Sequence, residues 1–381
     1  MKYDLNDIAV ITSSKRIFAN EYKSSGIPFY RGKEITQLYN HKAFSDLLYI
    51  SEDKYNELIK NFGVPQENDI LITAVGTIGS LYLVGKNDKF YFKDGNLIWL
   101  KNIDKTKVIP KYLYYLLSTN ETQSLIDSIT IGSTQTALTI EGVKMLNFDF
   151  PELKVQQHIV DTIGSVDDLI ELNEQKILKL ENILIDKFNN FYTTKCNKID
   201  KLGNIFKCLL GGTPNTSKPE FWDGSVNWIN SGEVNNLRIY KPSKMITELG
   251  MNKSATKLLP KGTTVLAITG ATLGQISLLE IDTCANQSVV GILENDSFGK
   301  EFIYPLMNYH IKDLISHQTG GAQPHINKDN IESLSIKLPS AEEYINYKNE
   351  TRPLVELQSN LVLQNEKLKK IKERLLKKYF G

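Results

Sequence analysis

Twice in this chain apolar residues alternate at intervals of three and four over a stretch long enough to form a helical seam, and few folds accommodate both. The first series is Ile163, Val166, Ile170, Asn173, Ile177, Leu180 and Leu184; the second is Leu354, Leu357, Leu361, Gln364, Leu368, Ile371 and Leu375. This is the spacing of a coiled-coil seam, and each copy carries one polar residue, Asn173 or Gln364, among its aliphatics. Charged residues such as Glu366, Lys367, Lys369 and Lys370 fill the outward positions of the second copy. One such stripe alone describes a helix packed on a domain core. Two of them can pair with each other, and the expectation is an intramolecular antiparallel coiled coil of two long helices, at 152–196 and 340–381. Gly164 and Pro353 are expected to break each helix into a short lead-in and a long seam. Residues 165–191 would then span roughly 40 Å at 1.5 Å per residue, a rigid spacer.

The segments outside the helices repeat in order. Leu202-Gly203-Asn204-Ile205 answers the opening Asp4-Leu5-Asn6-Asp7-Ile8, and residues 226–234 line up with 27–35. Residues 71–79 and 266–274 each read as a strand running into a Gly-bearing turn, with Gly76, Gly79, Gly270 and Gly274 as hairpin glycines. In the first copy a second strand follows through 81–84, then a third at 96–100. Residues 110–117 read as a short amphipathic helix, matched by Phe302 to Leu306. The closest match is at the ends, where Gly132-Ser133-Thr134-Gln135 and 146–151 answer Gly320-Gly321-Ala322-Gln323 and 334–339. Block order survives while register drifts, as it does when loops gain or lose residues. The chain is therefore expected to be α+β, with mixed α/β domains at 1–151 and 197–339, each followed by a long helix. Ser340-Ala341-Glu342-Glu343 is a capping-box pattern for the second one.

Length agrees, since 381 residues exceed what one ordinary core holds. A net charge of +1 argues against a protein that coats nucleic acid non-specifically but leaves local basic patches open. Cys196, Cys208 and Cys284 have neither the even count nor the spacing of a disulfide framework or zinc site, so they are read as buried thiols. No apolar run approaches the roughly 20 residues of a membrane span, and the start lacks a signal-peptide pattern. The expected location is the cytoplasm.

With the repeat in view, the residues resemble the specificity subunits of type I restriction-modification systems across essentially the whole chain. The most specific block is Gly211-Gly212-Thr213-Pro214-Asn215-Thr216-Ser217-Lys218-Pro219-Glu220-Phe221-Trp222, leading into Trp228-Ile229-Asn230-Ser231-Gly232-Glu233; the Gly-Gly-x-Gln and closing Leu-Pro of residues 320–339 form a second. The first domain departs from this pattern, with Lys15-Arg16-Ile17 followed by Ile27-Pro28-Phe29-Tyr30-Arg31. The resemblance implies two target-recognition domains that read a bipartite, asymmetric site in double-stranded DNA, and the unlike openings imply unlike half-sites. It further implies docking of modification (methyltransferase) subunits, two of them, on the helices, and of restriction (ATP-dependent translocase and nuclease) subunits through those.

Reading bases needs directional donors and acceptors, and positioning needs cations and small polar groups that reach phosphates. The candidates are Ser14, Lys15, Arg16, Arg31, Lys33 and Gln135 in the first domain, and Asn215, Thr216, Ser217, Lys218, Ser231, Lys253, Gln323 and His325 in the second. Arg31 leads, because bidentate Arg to guanine is the commonest specific contact. For each, the competing reading is a solvated loop residue or turn former. The basic run at 367–378 could track DNA backbone or be a solvated helix face.

Catalytic patterns are missing from the sequence. It has no consecutive prolines, hence no Asn-Pro-Pro-aromatic motif of an amino-methyltransferase, and no Gly-x-x-x-x-Gly-Lys-Ser/Thr for an ATPase motor. The histidines lack metal-ligand spacing, and the expectation is a non-catalytic subunit without a cofactor of its own. Two other readings stay open at this stage. One is a component of a type II-like restriction or methyltransferase enzyme; the other is a coiled-coil antirestriction scaffold that reads no DNA.

Overall fold

In the computed structural model, which describes residues 1–40, 44, 46–132, 136–316 and 325–381, the chain divides into two compact units. The first comprises Met1–Leu169 with Leu368–Gly381, the second Ile170–Lys367.

The first unit is built around Ile70–Thr73, a strand with all four residues buried. It pairs antiparallel with Leu81–Leu83 on one side and Leu97–Lys101 on the other, and Val10–Thr12 completes a four-stranded sheet. Gly76 and Gly79 take φ of +78° and +84° in the connection between Ile70–Thr73 and Leu81–Leu83, a conformation that favours glycine. A second sheet has Ile27–Tyr30 at its centre, antiparallel to Leu48–Ile50 and parallel to Tyr91–Phe92. Lys2–Asp4 pairs with Asn147–Asp149, drawing the two ends of the segment together. The helix Pro110–Leu117 starts with proline at its first position, where no intrahelical N–H is needed, and buries Tyr112, Leu113, Tyr115 and Leu117.

The second unit repeats this topology strand for strand. Thr264–Ala267 lies between Ile276–Leu279 and Val289–Ile292, and Cys208–Leu210 completes the row. Trp222–Ile229 is antiparallel to Lys244–Ile246 and parallel to Cys284–Ala285. Lys198–Lys201 pairs with Ser335–Leu338. One strand is added: Arg238–Ile239, parallel to Ile276–Leu279 at the sheet edge. Cys196, Cys208 and Cys284 are buried free thiols, and desolvation pushes Cys196 and Cys208 up to about 12.

The two long helices run unbroken, over Leu153–Thr194 and Ala341–Phe380, which corrects the expected interruptions at Gly164 and Pro353. Gly164 is buried within the helix, and a Cβ there would stand 3.1 Å from the Lys111 Nζ and 3.7 Å from the Tyr115 hydroxyl. Pro353 lies on the exposed face, flanked by the anchored residues Tyr347 and Thr351 before it and Val355 and Gln358 after it, so the lost backbone bond faces water. The capping box forms, with Ser340 Oγ accepting from the Glu343 N–H and Glu343 Oε2 accepting from the Ser340 N–H.

Within each unit the helices run antiparallel. In the second, Asn173 meets Asn365, Gln358 reaches Glu181, and Lys187 pairs with Glu350. In the first, Asp167 pairs with Lys372 at 2.7 Å and His158 stacks edge-on with Tyr379. Ile163, Ile170, Asn173, Ile177, Leu180 and Leu184 are buried and Val166 is half-buried, so the first series lies on the inner face. The second series departs from its expected frame. Leu361 is buried and Leu354, Leu368 and Leu375 are half-buried, but Leu357 and Ile371 are 48% and 44% exposed, and Gln364 is exposed. The inner face passes instead through Thr351, Val355, Gln358 and Asn365. Hydrogen bonding explains the displacement: Asn365 Nδ2 donates to the Ile170 carbonyl and its Oδ1 accepts from Asn173 Nδ2 at 2.8 Å, while Gln358 Nε2 donates to Ile177 O and Glu181. Gln364, though exposed, also accepts from Asn173 at 3.2 Å. Buried polar groups need partners, and these supply them.

Candidate nucleic-acid interface

Ser14, Lys15 and Arg16 lie on the loop leaving the strand Val10–Thr12, and backbone-directed bonds fix that loop against the approach to Leu97–Lys101. Ser13 Oγ donates to Leu97 O at 2.9 Å, Ser14 Oγ to Phe92 O at 2.8 Å, and the Lys15 N–H to the Tyr91 hydroxyl at 2.8 Å. Lys15 and Arg16 project into solvent. The Lys15 ammonium lies 5.2 Å from the centre of the Phe62 ring, and Arg16 pairs with Asp94 at 2.9 Å while its side chain stays 65% exposed.

The second unit places its unlike loop at the equivalent point. Leaving Cys208–Leu210, Gly211 donates its N–H to Val289 O and Gly212 to Ala285 O, so the loop is pinned to the start of the matching strand. Both positions require glycine by close approach: a Cβ on Gly212 would stand 2.5 Å from the Thr256 nitrogen, and one on Gly211 would meet the Ala285 carbonyl oxygen at 2.5 Å. Beyond them Thr213 donates to Gln287, and Asn215 Oδ1 accepts from the Ser217 N–H in an Asx turn. Asn215, Thr216, Ser217 and Lys218 are all exposed, with Lys218 stacked over Phe221 at 5.2 Å. The pattern in sequence finds these residues because glycine, proline and Asn-x-Ser mark a tight, solvent-facing turn.

Arg31 and Lys33 are differently employed. Arg31 caps the helix Gly32–Tyr39, and its guanidinium forks onto Glu34, which is 1% exposed, at 3.0 and 2.5 Å; a further bond reaches Asp46 O. The hydrogen bonds that Arg31 donates to Glu34 are the leading cause that raises the Arg31 pKa further. In this structure the bidentate face of Arg31, the leading candidate for a guanine contact, lies on a buried carboxylate. Lys33 pairs with Asp46. In the second unit Asn230 and Glu233 form the same cap, Glu233 Oε2 accepting from the Asn230 N–H at 2.9 Å, with Ser231 half-buried in that turn. The blocks around Arg31 and Ser231 thus repeat because they build one helix start.

Lys253 ends the helix Glu248–Asn252 and is exposed, as is His325. Gln135 and Gln323 lie outside the described residues. Among the described residues no helix is long and apolar enough to cross a membrane.

These features define a class: a protein of two like modules, each displaying an unlike polar loop at the same place on the same frame, and each holding antiparallel segments of two long helices. The chain belongs to the type I restriction modification DNA specificity domain family, whose sequence pattern matches residues 1–182 and 197–376. It is 23% identical over 388 residues to the MjaIX specificity subunit of a type I restriction enzyme from Methanocaldococcus jannaschii, covering 94% of this chain and 87% of that one. It is 24% identical over 273 residues to the EcoR124I/EcoR124II specificity subunit of Escherichia coli, covering 67% and 65%. A putative type I specificity subunit of Haemophilus influenzae is 33% identical over 168 residues, which cover 44% of this chain and 40% of that protein. In fold, the chain is similar to the crystal structure of the S subunit of a type I restriction-modification system from M. genitalium, with a TM-score of 0.62 at 16% identity over 100% of this chain and 96% of that one.

Proposed function

We propose that this chain is the sequence-reading subunit of a type I restriction-modification complex. Residues 1–151 and 197–339 each read one half of a bipartite, asymmetric site in duplex DNA. The helices at 152–196 and 340–381 dock two modification subunits and, through them, the restriction subunits. Methyl donor and ATP belong to those partners, and the chain itself performs no bond-making step in the cytoplasm where it acts.

The observation that carries this reading is the position of the unlike loops. A frame repeated strand for strand supports one task done twice; loops that differ in chemistry at the equivalent point support two different targets. Ser14, Lys15, Arg16 and Gln135 serve the first half-site in this reading, and Asn215, Thr216, Ser217, Lys218, Ser231, Lys253, Gln323 and His325 the second. Arg31 and Lys33 hold the first module's helix start.

The reading is tested by reconstitution. Purified chain alone should transfer no methyl group and cut no DNA, whereas addition of its cognate modification subunits should give methylation confined to one two-part motif. Methyl transfer or cleavage by the chain alone would replace this reading with that of an enzyme.

A further inference from the structure

We infer that a cleft in the first unit between Lys15, Phe62 and Lys101 is the seat of a DNA backbone phosphate and its deoxyribose. The inference rests on the reading of this chain as a DNA-sequence specificity subunit, and adds Phe62 and Lys101 to the surface that the sequence alone suggested.

The cleft has a volume of about 280 Å³ and includes Thr12, Ser13, Lys15, Phe62, Trp99 and Lys101 in its wall. No carboxylate lines it, and neither lysine forms an ion pair among the described residues. Its two ammonium groups are held by rings: Lys101 Nζ lies 4.3 Å from the centre of Trp99, and Lys15 Nζ 5.2 Å from that of Phe62. The floor is rigid, since Trp99 is 3% exposed and its Nε1 donates to the buried Asp69 at 2.8 Å. Phe62 is the opposite case. It is 46% exposed, just past the helix Glu52–Asn61, and Gly63 at φ +80° turns the chain away behind it.

The neighbouring cleft makes the contrast. Its volume is larger, about 460 Å³, and it shares Lys15 and Phe62 with the first, but its wall includes Glu21 and Glu57, which pair with Lys54 at 3.0 and 3.1 Å and would repel a phosphate. Two cations over aromatic faces, with no carboxylate in the cleft wall, match the chemistry of one phosphate and the apolar face of its sugar. Such contacts fix register on the duplex and carry no sequence information.

The test uses the full chain assembled with its modification subunits, and two duplexes, one with the motif found by methylated-motif sequencing and one with it scrambled. Affinity is measured between 50 and 200 mM salt for wild type, Lys101→Ala, Lys101→Gln, the pair Lys15→Ala/Lys101→Ala, Phe62→Ala, and Lys89→Ala as a surface control. Each neutralised phosphate contributes about 0.9 to the slope of log affinity against log salt. Lys101→Ala and Lys101→Gln should therefore both flatten the slope by about 1 and weaken both duplexes by the same factor, leaving the methylated motif unchanged. The lysine pair should flatten it by no more than about 1, since one phosphate is lost either way, and Phe62→Ala should weaken both duplexes with the slope retained. Wild-type slopes in the Lys101 variants, or a loss confined to the specific duplex, would overturn the cleft. Absence of specific binding by the wild-type assembly would instead overturn the specificity-subunit reading itself.

Discussion

Glu280→Ala is expected to destabilise the second unit by about 3 to 5 kcal/mol, the usual cost of stranding one member of a buried ion pair. Glu280 and Arg238 have side chains 4% and 1% exposed, 4.0 Å apart at their nearest atoms. Ser359 bridges them, accepting from Arg238 Nε at 3.4 Å and donating to Glu280 at 2.5 Å. The guanidinium also reaches Gln358 Oε1 and Leu237 O, and stacks on Tyr304 at 5.1 Å. Without Glu280, a full positive charge would remain in the interior with only neutral acceptors. At roughly 2 to 4 °C per kcal/mol for a body of this size, the melting temperature should fall by about 10 °C, read by calorimetry. Arg238→Met combined with Glu280→Leu should cost less than the sum of the two single changes, because Glu280→Leu alone strands Arg238, while Arg238→Met alone leaves Glu280 with only the exposed Lys261 at 3.2 Å. A Glu280→Ala variant within about 0.5 kcal/mol of wild type would show that the pair does not hold helix to sheet. The expectation has a structural consequence as well: Arg238 belongs to the added edge strand and Gln358 and Ser359 to the long helix, so this network fastens the second module to its helix.

That network explains which parts of the fold the sequence exposes and which it hides. Apolar periodicity and glycine punctuation announce Ile70–Thr73 and Thr264–Ala267, their turns, and the first helix seam, because burial and φ preference act on single residues. The face of the second helix is hidden, since Gln358, Ser359 and Asn365 are buried by partners distant in sequence and no spacing rule ranks them above Leu357 and Ile371. The two-residue strand Arg238–Ile239 is too short to carry a periodic signal. Gly164 and Pro353 mislead for the same reason: their local preference is against helix, and long-range anchoring outweighs it. Composition points to loops that the structure leaves exposed at 15–16 and 215–218. It does not foresee that the Arg31 fork goes to Glu34 three residues on, or that Lys101 and Phe62 line one cleft from well-separated segments.

Lengthening both helices by one heptad should change the length of the gap between the half-sites while leaving each half-site intact. The insertion belongs after Leu169 in the first helix and after Lys367 in the second, where the two compact units divide and where Asn365 faces the Ile170 carbonyl across the seam. Seven residues add roughly 10 Å at 1.5 Å per residue and preserve the seam on both helices. On duplex DNA this is about 3 base pairs at 3.4 Å each, and it rotates the second half-site by roughly 100° at about 10.5 base pairs per turn. The variant should thus methylate the same two half-sites across a longer gap, or lose specific binding through the rotational mismatch. The original motif at its original gap would refute the helices as the ruler.

The central claim, that two independent readers share one chain, is tested most directly by sequencing the methylated motif of cells in which residues 1–151 are exchanged for the matching segment of another specificity subunit. The account predicts a hybrid motif, with one half-site replaced and the half read by residues 197–339 retained. A folded, partner-bound chimera whose motif changes in both halves, or in neither, would contradict it.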